Sequence, residues 1–212
     1  MKNVKKVLNN LMKRYPLLEV CSEDIWKAYK EMYECYKKEG KILVCGNGGS
    51  AADAEHIVGE LMKGFMLKRE LPKEIKEKLI NIENEAGMIL ANRLQCALPA
   101  IDLTAQSALC TALSNDVHPD LIYAQQVLAY GKSSDLFIGL STSGNSKNVI
   151  YAIYTAKALG IKTLGLTGKS GGKMVELCDV TIKAPKELTF EVQELHLPIY
   201  HALCQMVEIS FF

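Results

Sequence analysis

The residues that could do chemistry fall in two glycine- and serine-rich junctions and on two helical stretches that carry histidine. One junction reads Leu140-Ser141-Thr142-Ser143-Gly144-Asn145-Ser146, between an apolar run and a helical pattern. Such a junction puts free backbone N–H groups and the positive end of a helix dipole at the carboxyl edge of a sheet. Ser141, Thr142, Ser143 and Ser146 add four hydroxyls, and Gly144 lets a ligand approach the backbone closely. Together they describe a phosphate cradle. The alternative is a helix cap of ordinary turn residues, since Ser, Gly and Asn are favoured there in any case.

The other junction is Gly46-Asn47-Gly48-Gly49-Ser50. It lacks the closing GK[ST] of a P-loop and the GxGxxG of a dinucleotide fold, so neither ATP nor NAD is indicated. A tight turn remains, which could line one crevice with the first junction beyond the carboxyl ends of the strands. After it, His56 and Glu60 stand four apart, on one face of a helix and one turn from each other. That spacing suits a divalent metal or an acid/base pair, and equally an ordinary stabilising surface pair. Near the C-terminus, Gln193, Glu194, His196 and His201 are interleaved with Leu195, Leu197, Ile199 and Leu203. A histidine in such an apolar stripe is more often packed core than a ligand.

The elements that must position these residues alternate. Helical periodicity covers 2–14 and 22–39, with Ser22 as the capping candidate of the second stretch. From Lys41 the pattern changes to ILVCG, the glycine turn, and a helix over Ala51–Met66. The strand-like runs LPAIDL, DLFIGLS, KTLGLTG and DVTIKAP follow, with helical segments between them. Such alternation predicts an α/β fold whose parallel sheet is covered on both faces. Thr189–Phe212 reads as a long amphipathic helix interrupted by Pro198. Between Phe65 and Leu98 a stretch is charged first and then helix-like, and no catalytic spacing occurs in it. It reads as a solvated insertion of one or two helices over 66–97, with a substrate lid or a subunit contact as the other reading.

The 212 residues, 49% of them hydrophobic, predict one domain over 1–212 with helical extensions: N-terminal helices over 1–40 and a C-terminal helix over 189–212. Lys and Arg total 25 against 24 Asp and Glu, so no global field draws the chain to nucleic acid or an anionic membrane. An anion must be bound locally. The basic start has polar residues every few positions and no cleavage site after an apolar run, and no stretch approaches the roughly 18 apolar residues of a membrane span. Seven cysteines, odd in number and never spaced as CxxC, fit a reducing cytoplasm rather than a disulfide framework or a zinc ribbon.

Five blocks occur in order: GNGGSAADAEHIVGELMKGF at 46–65, SND at 114–116, LSTSGNSKNVI at 140–150, LTGKSGGKM at 166–174 and QELHLPIYHAL at 193–203. Together they resemble the sugar-isomerase (SIS) domain family, and specifically its phosphoheptose isomerases. The resemblance implies a five-stranded parallel sheet flanked by helices, in a homotetramer with active sites between subunits. It further implies that Ser141, Thr142, Ser143 and Ser146 contact phosphate and sugar, with Asn47, Gly48, Gly49, Asn115 and Asp116 as further substrate contacts. His56, Glu60, Gln193 and His201 match positions that hold a metal, commonly zinc, and carry acid/base roles.

The reaction implied is ketose–aldose interconversion of sedoheptulose 7-phosphate and a D-glycero-D-manno-heptose 7-phosphate. It moves a proton between adjacent carbons through an enediol, so it needs a base for carbon and a group to manage protons on oxygen. Glu60 is the expected base and His201 its partner, and a metal could polarise the carbonyl. Whether Glu60 is base or ligand stays open. On an ideal helix Gln193 and His201 stand about 12 Å apart along the axis. Either Pro198 bends the helix or the two reach one site from different chains.

Two departures from the family pattern bear on the sugar. The 66–97 insertion is longer than the corresponding link, and Phe190 stands where some of these isomerases carry an acid, with Glu191 adjacent. The alternatives are a non-catalytic SIS protein, such as those that bind the bacterial replication initiator, and a sugar-phosphate sensing module. Retention of both Glu60 and His201 favours the enzyme.

Overall fold

The five apolar runs pair side by side in one all-parallel sheet: β1 (Ile42–Cys45), β2 (Ala100–Asp102), β3 (Leu136–Leu140), β4 (Lys162–Thr167) and β5 (Val180–Lys183), in the order β2-β1-β3-β4-β5. The computed structural model describes residues 2–212, so Met1 of the expected N-terminal helices lies outside it. Every residue of β1 and β3 is buried, as their unbroken apolar runs require of strands covered on both faces. β2 and β3 lie on opposite sides of β1, so the strand order reverses between β1 and β3, the switch point at which open α/β sheets bind ligands. Cys45 pairs with Gly139 there, which sets the loops after β1 and β3 next to each other.

The two faces carry separate cores. On one, Ile42, Val44, Leu136, Ile138 and Leu164 pack against α1 (Lys2–Arg14), α2 (Ser22–Lys37), α3 (Gly49–Met62) and α10 (Thr189–Phe211). On the other, Leu43, Cys45 and Phe137 meet α7 (Ile122–Tyr130), α8 (Lys147–Ala158) and Met174 of the short α9 (Met174–Leu177). The period of two along the strands sorts these residues between faces.

Several boundaries differ from expectation. Ser22 is the first residue of α2 rather than its cap, because a 3-10 turn over Pro16–Cys21 runs directly into the helix. α2 ends at Lys37, where the chain turns through Glu39 in the left-handed region (φ 56°). α3 starts at Gly49 and stops at Met62 instead of Met66, since Lys63 is extended and the N–H groups of Phe65, Met66 and Leu67 bond to the Glu208 carboxylate. Pro198 does not interrupt α10. It lacks the N–H that would bond one turn back, but it is buried with Ile199, Tyr200, Ala202 and Leu203, and that packing holds the helix continuous over 23 residues.

The insertion forms two helices, α4 (Lys73–Ile82) and α5 (Asn84–Arg93), closed at the root by an antiparallel bridge between Glu70 and Gln95. No residue of α4 is buried. A further helix, α6 (Ser107–Asp116), follows β2 and also buries nothing. Among the described residues no helix is long and apolar enough to cross a membrane.

Candidate functional site

The serine junction is built on itself. Ser141, buried at the end of β3, has its Oγ 2.9 Å from Ser146 Oγ and accepts the Ser146 N–H at 3.4 Å. Ser146 occupies the N-cap position of α8, yet its hydroxyl faces Ser141 and makes no capping bond to the helix. Asn145 N–H donates to Ser143 Oγ at 3.2 Å, and Asn145 Oδ1 accepts from the Lys173 N–H at 3.1 Å. Thr142, Ser143 and Asn145 line a cavity of about 560 Å³ with Lys169, Ser170 and Lys186. Glu187 lines it too, and both lysines are ion-paired: Lys186 with Glu191 at 2.7 Å and Lys169 with Glu187 at 3.6 Å. Serine hydroxyls at a helix N-terminus suit an anion.

Gly144 is also demanded by packing. It is left-handed (φ 65°), and a Cβ there would run into the Gly171 carbonyl. The glycine is required for the close approach of the Gly171–Gly172 loop.

The junction after β1 is tied to the serine junction across the switch point. Asn47 and Asn148 exchange two amide hydrogen bonds of 2.9 Å each. Tyr123 donates to Gly46 O at 2.5 Å and lies 3.2 Å from Asn47 Oδ1. Gly48 adopts φ 57° at the start of α3, and the Gln193 amide fills the space a side chain at Gly49 would need. Asn115 and Asp116 sit on the exposed end of α6. Asn115 Nδ2 donates to Asp116 Oδ1 at 2.8 Å, and among the described residues neither side chain bonds to the two junctions.

α3 and α10 run alongside each other in the same direction, so Gly49 meets Gln193, Asp53 meets Tyr200 and His56 meets His201. His56, Glu60 and His201 offer ligand atoms that all lie within 4.8 Å of one another. His56 Nε2 is 3.2 Å from Glu60 Oε1 and 3.3 Å from His201 Nε2. Phe65 leans on the His201 ring at 5.5 Å between centroids. Burial first, then the neighbouring His56, lowers the His201 pKa from its ordinary value; Glu60 opposes the shift. Gln193 is not brought to this cluster: it stays at Gly49, two turns back along the unbroken α10.

The SIS domain family model matches residues 6–76 and 78–168. The phosphoheptose isomerase of Aliarcobacter butzleri is 40% identical over 192 residues, covering 91% of this chain and 88% of that protein. The chain belongs to the SIS domain family, among its phosphoheptose isomerases. Two solved phosphoheptose isomerases share the fold. That of Neisseria gonorrhoeae is 31% identical with a TM-score of 0.74, covering 98% of this chain and 97% of that one. That of Francisella tularensis is 28% identical with a TM-score of 0.75, covering 97% and 96%.

In this SIS protein the His56, Glu60 and His201 cluster fits a metal. With metal–ligand bonds of about 2.0 Å, tetrahedral zinc holds neighbouring donors about 3.3 Å apart, which is the spacing His56 keeps to both partners. A layer the sequence reading missed orients it. Tyr200 Oη donates to Asp53 Oδ1 at 3.2 Å and stands 3.0 Å from His56 Nδ1. With its proton given to Asp53, the Tyr200 oxygen accepts from Nδ1–H and leaves the Nε2 lone pair facing the cluster. Burial raises the Asp53 pKa. Asp53 and Tyr200 could have been found from their spacing, three residues before His56 on one helix and next to His201 on the other. Beside His201 lies a cavity of about 750 Å³ lined also by Arg14, Tyr15, Phe65 and Leu197. His196, by contrast, is core: it is fully buried with Nε2 3.2 Å from Thr167 O.

Proposed function

We propose that this isomerase interconverts sedoheptulose 7-phosphate and a D-glycero-D-manno-heptose 7-phosphate through an enediol. The observation that carries the reading is the convergence of His56, Glu60 and His201 from two helices. Curated relatives at 38 to 40% identity over about nine tenths of the chain are named phosphoheptose isomerases.

Glu60 takes the proton from the carbon beside the carbonyl and returns it to the neighbouring carbon, while His201 moves protons between the two oxygens. Burial and the neighbouring His56 lower the His201 pKa, which favours the neutral imidazole, one nitrogen accepting and the other donating. His56, Glu60 and His201 would hold zinc, which bound there would supply Lewis-acid polarisation of the carbonyl; Glu60 Oε1 faces His56 and Oε2 lies 3.3 Å from Lys63 Nζ. Ser141, Thr142, Ser143 and Ser146 hold the phosphate, and Asn47, Gly48, Gly49 and Gln193 face the sugar. Asn115 and Asp116, solvent-facing in one chain, reach substrate in an assembled homotetramer. Wide exposure of Ile82, Ile89, Met66 and Phe190 supports such an assembly, as seven unpaired cysteines support a cytoplasmic setting. All of 1–212 serves as one SIS domain, with the 66–97 hairpin as its insertion.

Incubating purified protein with sedoheptulose 7-phosphate and following the sugar by NMR tests this. Appearance of the aldose is expected. A protein that binds a sugar phosphate yet converts no heptose, hexose or pentose phosphate would be a sensing module instead.

A further inference from the structure

The largest fully buried side chain belongs to a charged residue, Arg69, and its partner Glu208 is buried as completely. Arg69 Nε donates to Glu208 Oε1 at 2.8 Å. The other arm of the guanidinium reaches the end of α3, where Nη1 donates to Leu61 O at 2.6 Å and Nη2 to Glu60 O at 3.2 Å. These are among the last carbonyls of a helix, which lack partners within it and favour a cation. The Glu208 carboxylate also accepts the N–H groups of Phe65 and Met66, each at 2.8 Å, and of Leu67 at 3.2 Å.

The placement matters more than the number of bonds. Glu208 follows His201 by seven residues on α10, two turns along the same face. Arg69 grips the backbone of Glu60 itself. One ion pair therefore pins the end of α3 that carries Glu60 to the helix that carries His201, and fixes the loop from which Phe65 leans on the His201 ring. Buried ion pairs are poor sources of stability, because desolvation offsets their attraction and apolar residues of like volume often serve as well. What a fully bonded pair adds is a single allowed register between two helices.

We infer that Arg69 and Glu208 are positioning residues of the isomerase, a clasp that sets the spacing of Glu60 and His201. This rests on reading His56, Glu60 and His201 as the reaction centre. Loss of the clasp leaves the phosphate cradle untouched, so KM should hold while kcat falls, and small misplacements of reacting groups cost up to about 100-fold. Metal affinity should fall with it, as supporting residues behind ligands are typically worth about 10- to 100-fold.

The experiment compares wild type, Glu208→Gln, Arg69→Lys and His201→Ala as full chains, measuring kcat and KM on sedoheptulose 7-phosphate, zinc affinity by chelator competition, and thermal melting. Glu208→Gln and Arg69→Lys are expected to fold, keep KM within about threefold, and lose tenfold or more in both kcat and zinc affinity. Should Glu208→Gln not fold, Arg69→Lys decides. Wild-type kcat and zinc affinity in a folded clasp variant, even with a lower melting temperature, would overturn the inference and leave the pair a structural one. Full turnover by His201→Ala would instead overturn the reaction centre.

Discussion

His56 and His201 meet Nε2 to Nε2 at 3.3 Å, although 145 residues separate them in the chain. Two neutral imidazoles can share one proton at that distance, or both lone pairs can face one cation, and Glu60 stands against His56 to complete either arrangement. Substitutions at these positions test the acid/base and metal roles proposed for the cluster.

Glu60→Gln and His201→Ala should each lower kcat by about 10²- to 10⁴-fold with KM little changed, because the interactions they remove matter mainly in the transition state. Steady-state kinetics at saturating and limiting substrate give both constants. A loss confined to KM would return both residues to substrate binding.

His56→Ala should lower zinc content, with added zinc partly restoring turnover. Gln193→Ala should behave differently, since its amide lies against Gly49 and not with the cluster: sugar-phosphate affinity falls and zinc content holds. Metal analysis of the two purified variants tells them apart, and zinc loss in Gln193→Ala would mean that the residue reaches the ion from another chain.

Ser143→Ala combined with Ser146→Ala should weaken sugar-phosphate binding while the fold survives. The second change also frees the Ser141 hydroxyl from its partner. Isothermal calorimetry with substrate gives the affinity, and an unchanged value would remove the phosphate from this junction.

His196 should make the fold acid-sensitive. Burial pushes its pKa down to about 4 from 6.5, so the unfolded chain binds the proton that the folded chain refuses. Stability is therefore full above about pH 6.5 and declines as pH falls towards 4, by on the order of 3 kcal/mol in total. Urea unfolding between pH 7.5 and 4.5 should show a shallower decline in His196→Leu than in wild type.

Light scattering at micromolar concentration should report a mass near four chains. A monomer would leave Asn115 and Asp116 without access to substrate and would remove them from the site.

The sheet was legible in the sequence because its cause is local. Runs such as ILVC and LFIGL alternate with helical periods, and strands covered on both faces need continuous apolar stretches. The serine-rich junction was legible for the same reason, its hydroxyls lying within six residues of one another. Spacing likewise put His56 and Glu60 on one face of a helix, though it could not choose between an ion site and a surface pair. Only the tertiary structure decided that within one chain His201 joins them and Gln193 does not, because that depends on α3 and α10 lying side by side and on Pro198 being packed firmly enough to leave α10 unbroken. Gly144 turned out to face another loop, and Arg69, one basic residue in a charged stretch, to be buried against Glu208 at the far end of the chain. Contacts between segments so distant in sequence leave no periodicity to read, since they arise when separate elements are packed against one another.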